Sequence, residues 1–310
     1  MSAPVSSQER ALPNQEVQPA PESGGPARGL TVTWRDLYGD AVDRLGDART
    51  VRWFLEDSSG ASWPAVLDEA VPARSGNYFL SMVRRREAGE PVQYVLGHWA
   101  FRQLDLMVDR RVLIPRPETE MVVEVALQEL ARLEADAPVV VDLGTGSGAI
   151  ALSIACERTQ VMAWATDISR DALAVASANL AGLGVQAVGR VQLAQGSWWE
   201  ALPEELKGSV TLAVANPPYI AQDELGDLPV EVAAWEPVDA LIAGPSGLES
   251  LEAVVTGAPG WLAERSALVA EIAPHQAEDA MAIAKGAGLV EVLVRPDLTG
   301  RPRVLVARRS

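Results

Sequence analysis

From Thr31 to about Gly89 the apolar residues of TWRDLYGDAVDRL, WPAVLDEAV and NYFLSMVRRREA recur at helical spacing, broken by Gly, Ser and Pro clusters. That pattern predicts a small helical domain over residues 31–90. Residues 91–115, PVQYVLGHWAFRQLDLMVDRRVLIP, mix β-formers with polar positions and end in proline, which predicts a hairpin linking two domains. Beyond Arg116 the pattern alternates. It predicts helices over 118–134, 148–157, 170–182, 247–263 and 275–287, and strands over 138–143, 161–166, 188–194, 210–215 and 266–272, followed by two terminal strands. Strands regularly separated by helices imply an α/β domain over 116–310, with a mainly parallel sheet covered on both faces. Residues 1–30 are rich in Pro, Ser, Gly, Gln and Glu with few large apolar side chains, and the expectation for them is a disordered tail.

The predicted strand Val139-Val140-Val141-Asp142-Leu143 runs into Gly144-Thr145-Gly146-Ser147-Gly148 and then a helix. Glycines there let the backbone approach a ligand closely, and a helix N-terminus offers unpaired N–H groups to a carboxylate or phosphate. The next strand ends at Asp167, placed to accept hydrogen bonds from both ribose hydroxyls of a nucleoside. Loop and acid together indicate an adenosine-containing ligand. The same letters also satisfy G-x-G-x-x-A, the dinucleotide fingerprint, so the loop alone serves a dehydrogenase as well as a methyltransferase. Asp142, on the strand just before the loop, is able to accept from an amino group or a water around an aminoacyl moiety, which tilts the reading to S-adenosylmethionine. A glycine turn that only packs helix on sheet is the plainer alternative.

The strand over 210–215 leads directly into Asn216-Pro217-Pro218-Tyr219, at the carboxyl end where open α/β sheets bind ligands. Each proline fixes its own φ and biases the residue before it towards an extended conformation, so the Asn216 side chain and the Pro217 carbonyl form a stiff pair of acceptors. Two acceptors suit a planar NH2 group, whose nitrogen lone pair is delocalised and poorly nucleophilic. Holding both hydrogens orients that nitrogen against an electrophilic methyl group. Tyr219 offers a ring face to the planar group. Asn216, Pro217 and Tyr219 are therefore the candidate catalytic residues, with Pro218 completing the substrate-binding turn. A strand-ending turn with a packing tyrosine is the bland reading.

Composition narrows the partners. The chain has 310 residues, 48% of them hydrophobic, enough for a catalytic domain and a smaller companion. Its formal net charge of −16 opposes a phosphate backbone and favours a protein or small-molecule substrate over nucleic acid. A single cysteine, Cys156, fits a reducing cytoplasm, and with only His98 and His275 no metal site is expected. The N-terminal residues lack the pattern of a secretory signal and no stretch is expected to span a membrane. Cys156 reads as a small buried hydrophobe and His98 as a packed or surface histidine. Arg84-Arg85-Arg86, Arg110 and Arg111 read as solvated charge.

In these segments the chain resembles the release-factor glutamine methyltransferases, also called the HemK or protein-(glutamine-N5) methyltransferase family. The likeness covers roughly residues 90–310 and rests on PVQYVLG (91–97), LIPRPETE (113–120), VDLGTGSGAIALSIA (141–155), ATDIS (165–169), GSWWEAL (196–202), ANPPYI (215–220) and DLTGRPRVLVA (297–307). The resemblance implies a Rossmann-like class I methyltransferase sheet with an N-terminal helical domain that docks the substrate. It also implies S-adenosylmethionine as methyl donor, with S-adenosylhomocysteine as product. Gly144 to Gly148 and Asp167 would line the cofactor site, Trp198 would cover its adenine region, and Asn216 to Tyr219 would bind a glutamine amide. The implied substrate is the glutamine of the Gly-Gly-Gln motif in class 1 peptide chain release factors, and a monomeric cytoplasmic enzyme is expected. Arg116 and Glu120 are candidates for an ion pair at the domain junction, with a helix start in which Glu118 and Glu120 are favoured by the helix dipole as an equal alternative. Ser246-Gly247-Leu248 stands where the family has Asp-Gly-Leu, and Glu271-Ile272-Ala273 where it has Glu-Ile-Gly; both are expected to lie outside the catalytic core. Glutamine methylation of a ribosomal protein, N6 methylation of adenine in DNA and non-catalytic cofactor binding are the competing readings.

Overall fold

The computed structural model describes residues 32–310. The N-terminal tail anticipated over residues 1–30 lies outside the described residues. Three helices come first: α1 (Trp34–Leu45), α2 (Ala48–Ser59) and α3 (Ala73–Glu87). α1 starts with a reciprocal cap in which Thr33 accepts from the Asp36 N–H and Asp36 accepts from the Thr33 N–H. Left-handed Gly46 and Gly60 end α1 and α2. Their apolar faces close on a core of their own, including Trp34, Phe54, Leu55, Phe79 and Met82.

The run WPAVLDEAV is not a helix, although its spacing suggests one. Its carbonyls are used elsewhere: Leu67 and Glu69 accept from Arg35 N–H at 2.8 Å and Trp34 N–H at 3.2 Å, satisfying the free donors at the start of α1. Val66 and Leu67 still enter the helical core, but from an irregular segment.

The segment 91–115 also departs from expectation. It opens with a helix, α4 (Val92–Leu96), begun after Pro91 and ended by Gly97 at φ 83. Only β1 (His98–Phe101) and β2 (Leu104–Met107) form the hairpin. A short apolar run does not distinguish one helical turn from a strand by periodicity alone.

Beyond it, α5 (Pro117–Leu133) precedes an alternating series: β3 (Val139–Leu143), α6 (Ala149–Glu157), β4 (Met162–Asp167), α7 (Arg170–Leu183), β5 (Val191–Gln195) and β6 (Val210–Ala215). After the short β7 (Ile220–Ala221), α8 (Val230–Trp235) and β8 (Ile242–Gly244) come α9 (Glu249–Trp261), β9 (Leu262–Glu271), α10 (Ala277–Gly286), β10 (Val290–Pro296) and β11 (Pro302–Arg308). The helices and strands expected beyond Arg116 are present, while β7, α8 and β8 were not anticipated because each is too short to carry a period. Seven strands form one sheet in the order β10-β11-β9-β6-β3-β4-β5. The five from β9 to β5 are parallel, and β11 runs antiparallel to both its neighbours. One face packs on α5 and α6 through Val122, Ile150 and Leu152, the other on α9 and α10 through Leu251, Val254 and Ala280. Among the described residues no helix is long and apolar enough to cross a membrane.

Chain order reverses about β3, with β4 and β5 to one side and β6 and β9 to the other. Such a switch point opens a crevice at the carboxyl ends of the strands. Register sharpens it: Ala194, Thr166, Leu143, Ala215 and Ala270 lie on one rung, so the next residues of four neighbouring strands, Asp167, Gly144, Asn216 and Glu271, emerge together.

Trp199, in the turn after β5, braces this edge from α9. Its ring stacks on Trp261 with centroids 6.1 Å apart, and its Nε1 donates to the Val254 carbonyl at 2.9 Å. A Cβ on Gly257 would lie 2.3 Å from Trp199 Cδ1, so the indole needs a glycine there. Gly→Ala inside a helix ordinarily gains about 1 kcal/mol, but overpacking a buried ring costs about 1–3 kcal/mol. Gly257→Ala is therefore expected to lower stability in urea unfolding, and a gain in stability would show that the indole is not confined.

Candidate functional site

The glycine loop follows β3 with three left-handed glycines, Gly144, Gly146 and Gly148, at φ 76, 56 and 86. Gly144 and Thr145 N–H groups donate to the Thr166 carbonyl at 2.9 and 2.8 Å, and the Gly146 N–H donates to Asp167 Oδ2 at 2.9 Å. A Cβ on Gly144 would lie 3.2 Å from the Trp198 ring, so the missing side chain leaves room for that indole. Trp198 itself sits at φ 45, a conformation that a bulky residue rarely adopts, and Trp199 next to it is the residue anchored against α9.

A cavity of about 460 Å³ opens over this loop. Gly144, Thr145, Gly146, Ser147, Asp167, Trp198, Asn216 and Pro218 all line it, so most of the residues singled out from the sequence converge on one space. Thr119, Arg111 and Leu113 contribute a wall that comes from α5 and the segment before it. A second cavity of about 160 Å³ adjoins, lined by Pro217, Tyr219, Arg116, Ile220, Leu228 and Val232. Asn216, Leu113 and Ala240 line both, and Asn216 thus stands where the two spaces meet.

Two of the proposed cofactor residues lie differently from expectation. Asp142 is fully buried and lines neither cavity; its Oδ2 accepts from Thr145 Oγ1 at 2.6 Å and Ala151 N–H at 3.1 Å, bracing the loop from beneath. Strand alternation turns its side chain towards α6, away from the mouth. Gly148 is also absent from the cavity wall, because it caps α6 and a Cβ there would meet Leu152 Cδ1 at 2.9 Å. Its glycine serves helix-on-sheet packing, the plainer use foreseen for the loop.

Arg116 does not pair with Glu120. Arg116 is the extended residue before α5 and forms its ion pair with the buried carboxylate of Glu236, while Glu120 accepts from the Arg102 N–H at 2.9 Å. The segments expected to lie apart from the core reach into it. Glu271 Oε2 accepts from Thr119 Oγ1 at 2.7 Å, and Thr119 Oγ1 accepts from Asn216 Nδ2 at 3.1 Å. Gln276 Nε2 donates both to the Tyr219 carbonyl at 3.0 Å and to the Gly247 carbonyl at 2.9 Å, so Gly247 supports the turn that holds Tyr219. Thr119 lies within the LIPRPETE stretch and Glu271 ends a strand expected beside others, but neither position is tied to Asn216 by spacing along the chain.

Among the residues set aside, His98 Nδ1 bonds Asp105 at 2.8 Å in the hairpin, and Cys156 is half-buried. Arg84, Arg85 and Arg110 are exposed, as expected, and several of the arginines also have partners: Arg85 is bound to Glu90 and to the carbonyls of Tyr94 and Val95, Arg86 to Glu231, and Arg110 lies 4.5 Å over the Trp235 ring.

Burial pushes the Asp142 carboxyl up to about 7, against the downward pull of the Thr145 hydroxyl and the Ala151 N–H. Burial raises Asp167 as well, and the N–H groups of Ser169 and Gly146 oppose it. A carboxyl whose pKa is higher folded than unfolded keeps a proton that the unfolded chain has released. For Asp142 the contribution to stability is complete below about pH 4 and is lost as pH rises to about 7, at up to about 1.4 kcal/mol per pH unit. Asp142→Asn removes one such group, so its unfolding free energy, measured in urea from pH 4 to 7, is expected to fall less steeply with pH than that of the parent. Equal slopes would contradict the raised value.

Residues 123–232 match the Methyltransferase small domain family. The chain is 40% identical over 242 residues to the release factor glutamine methyltransferase of Cereibacter sphaeroides, covering 78% of this chain and 83% of that one. It is 39% identical over 289 residues to the release factor glutamine methyltransferase of Moorella thermoacetica, covering 90% and 99%. A solved structure, the release-factor-specific protein-(glutamine-N5) methyltransferase from Alicyclobacillus acidocaldarius, aligns at 28% identity over 64% of this chain and 94% of that one, with a TM-score of 0.38. With a seven-stranded, mainly parallel class I methyltransferase sheet and relatives of this identity along most of its length, the chain belongs to the release factor glutamine methyltransferase family.

Proposed function

We propose that the chain transfers a methyl group from S-adenosylmethionine to the side-chain amide nitrogen of the glutamine in the Gly-Gly-Gln motif of class 1 peptide chain release factors. The observation that carries this reading is Asn216, placed between a larger cavity over the glycine loop and a smaller one lined by Pro217 and Tyr219. The larger cavity lies in the size range of small-molecule sites, about 300–1,000 Å³. Its wall fits the donor: Gly144 leaves the Trp198 ring uncovered by any Cβ, and Asp167 supplies a carboxylate beside the glycine loop. Gly144 to Ser147, Asp167 and Trp198 would hold it. When bound, S-adenosylmethionine supplies a methyl group on a positively charged sulfur and leaves as S-adenosylhomocysteine.

The chain's own part is to hold the acceptor. An amide nitrogen is a weak nucleophile because its lone pair is shared with the carbonyl. Asn216 Oδ1 and the Pro217 carbonyl accept its two N–H bonds, which fixes the nitrogen's position and favours loss of that conjugation. Tyr219 lies against the planar group, and the apolar side chains of Leu113, Ile220, Leu228 and Val232 suit a glutamine's methylene stem and keep water out. The nitrogen becomes strongly acidic once alkylated and releases its proton to solvent, so no side-chain base is required.

Helices α1–α3, with their separate core, are the proposed docking domain for the release factor. In support, Arg86 of α3 pairs with Glu231 at 2.6 Å, within the short helix α8 whose Val232 lines the smaller cavity. A net charge of −16 favours a protein partner over nucleic acid. Such a substrate places the reaction in the cytoplasm, where translation terminates.

The test is transfer of labelled methyl from S-adenosylmethionine to a release factor, its Gln→Ala version at Gly-Gly-Gln, a ribosomal protein and adenine-containing DNA. Label is expected on the unaltered release factor alone; label on the others instead would overturn the substrate. Asn216→Ala is expected to reduce transfer on the order of 10²-fold or more, the usual effect of removing one preorganised hydrogen-bonding group at a reacting centre.

A further inference from the structure

An asparagine side chain has two ends of similar shape and opposite character, and only its oxygen is able to receive an incoming N–H. A site that holds an NH2 group therefore needs the Asn216 oxygen, and not its nitrogen, to face the cavity. The hydrogen bonds around Asn216 supply a reason for that orientation. Its Nδ2 donates to Thr119 Oγ1 at 3.1 Å, and Thr119 Oγ1 donates to Glu271 Oε2 at 2.7 Å. Thr119, in the first turn of α5, is 4% exposed, and Glu271, the last residue of β9, is 1% exposed.

A carboxylate only accepts, and a hydroxyl has a single proton to give. With that proton committed to Glu271, Thr119 offers Asn216 only lone pairs, and only the NH2 end of the amide satisfies them. The reverse orientation would face an oxygen against an oxygen in a half-buried site and forfeit the hydrogen bond between them. We infer that Thr119 and Glu271 form a relay that sets which end of the Asn216 amide faces the methyl acceptor, and that both are positioning residues for the reaction. The identity of the acceptor rests on the proposed function; the polarity of the relay rests on the hydrogen bonds and on an ionised Glu271.

The relay also has a proton-dependent form. Burial pushes Glu271 up to about 7, while the Thr119 hydroxyl and the Arg303 guanidinium pull it down; Glu118 raises it further and Arg116 lowers it. These groups reach it from three elements: Arg116 and Glu118 from the start of α5, Arg303 from β11, and Tyr219 from the turn after β6. Once protonated, Glu271 donates to Thr119, whose own proton is then released to the oxygen of a reversed Asn216. Methyl transfer is accordingly expected to rise with pH through about 7.

The test compares Thr119→Val, which keeps the shape and removes the hydroxyl, with Thr119→Ser, which retains it, and with Glu271→Gln, which cannot ionise. Each full-length variant is first checked for its unfolding midpoint and its affinity for S-adenosylmethionine by calorimetry. Thr119→Val is expected to lower kcat at saturating cofactor about tenfold, the loss of roughly one hydrogen bond's worth of positioning. Thr119→Ser is expected to recover most of that rate, and Glu271→Gln to abolish the inflection near pH 7. Independently of any substrate, the side-chain amide signals of Asn216 in 15N-resolved NMR, assigned by their absence in Asn216→Ala, are expected to shift and exchange faster in Thr119→Val and to be retained in Thr119→Ser. Unaltered amide signals in Thr119→Val, or equal loss of rate in the serine and valine variants, would overturn the relay. Absence of label on the release factor with the parent chain would instead count against the proposed substrate and leave the NMR comparison to decide the relay.

Discussion

The pairing of Leu143 with Ala215 across β3 and β6 is the constraint on which the site depends. Because parallel strands in register end level with one another, it sets the first glycine of the loop beside the asparagine that faces the acceptor cavity. Extending the rung to Thr166 and Ala270 adds Asp167 on one side and Glu271 on the other. A slip of one residue would send each of these side chains to the opposite face of the sheet. The close fit continues outward from the rung. Gly144 leaves space for Trp198, Trp198 is adjacent to Trp199, and Trp199 lies across α9 at the one place where Gly257 presents no side chain. The strained conformation of Trp198 thus persists because its neighbour is held by an aromatic stack and a hydrogen bond to α9.

Three carboxyls at the ends of β3, β4 and β9 do different work in one small region. Asp142 faces inward and fixes the glycine loop through Thr145 and Ala151. Asp167 ties the same loop through the Gly146 N–H yet also lines the larger cavity. Glu271 is turned to α5, where it holds Thr119. Each is buried at a cost in solvation, visible in the raised pKa that burial imposes on all three. Hydrogen bonds from backbone and hydroxyl donors only partly offset that cost. Their placement around one crevice is what an active site requires and what a stability-optimised core would avoid.

What the sequence makes legible here is whatever is local. Gly144 to Gly148 and Asn216 to Tyr219 each carry their geometry in adjacent residues, through positive φ at the glycines and fixed φ at the prolines, so their positions at strand ends follow from pattern alone. The parts that escape are relations between distant segments. Glu271 meets Thr119 across 152 residues, and Arg116 meets Glu236 across 120, because sheet order puts β9 beside β6 and α5 above both. Asp142 has the right residue type at the right strand end, but the alternation of side chains turns it under the loop. At shorter range, WPAVLDEAV has a helical period and no helix, since the carbonyls a helix would use are bound to the start of α1. Hydrophobic spacing reports which side chains are buried; it does not report which backbone groups have already found partners.

The stretch from Leu228 to Glu236 shows how the first core and the chemistry are joined. Leu228 and Val232 line the smaller cavity, Glu231 pairs with Arg86 of α3, and the buried Glu236 receives both Arg116 and the Ile114 N–H. Trp235, at the end of α8, lies under Arg110 of the segment leading into α5. This short stretch therefore touches α3, the wall of the acceptor cavity and the entry to α5, the helix that carries Thr119. The Glu236 carboxylate is the buried member of these contacts: withdrawn from water, it is satisfied only while Arg116 and Ile114 stay in place, and a buried charge that loses its partner costs several kcal/mol. That penalty keeps the start of α5 fixed against α8, and with it the distance from Thr119 to Asn216 on which the orientation of the amide depends.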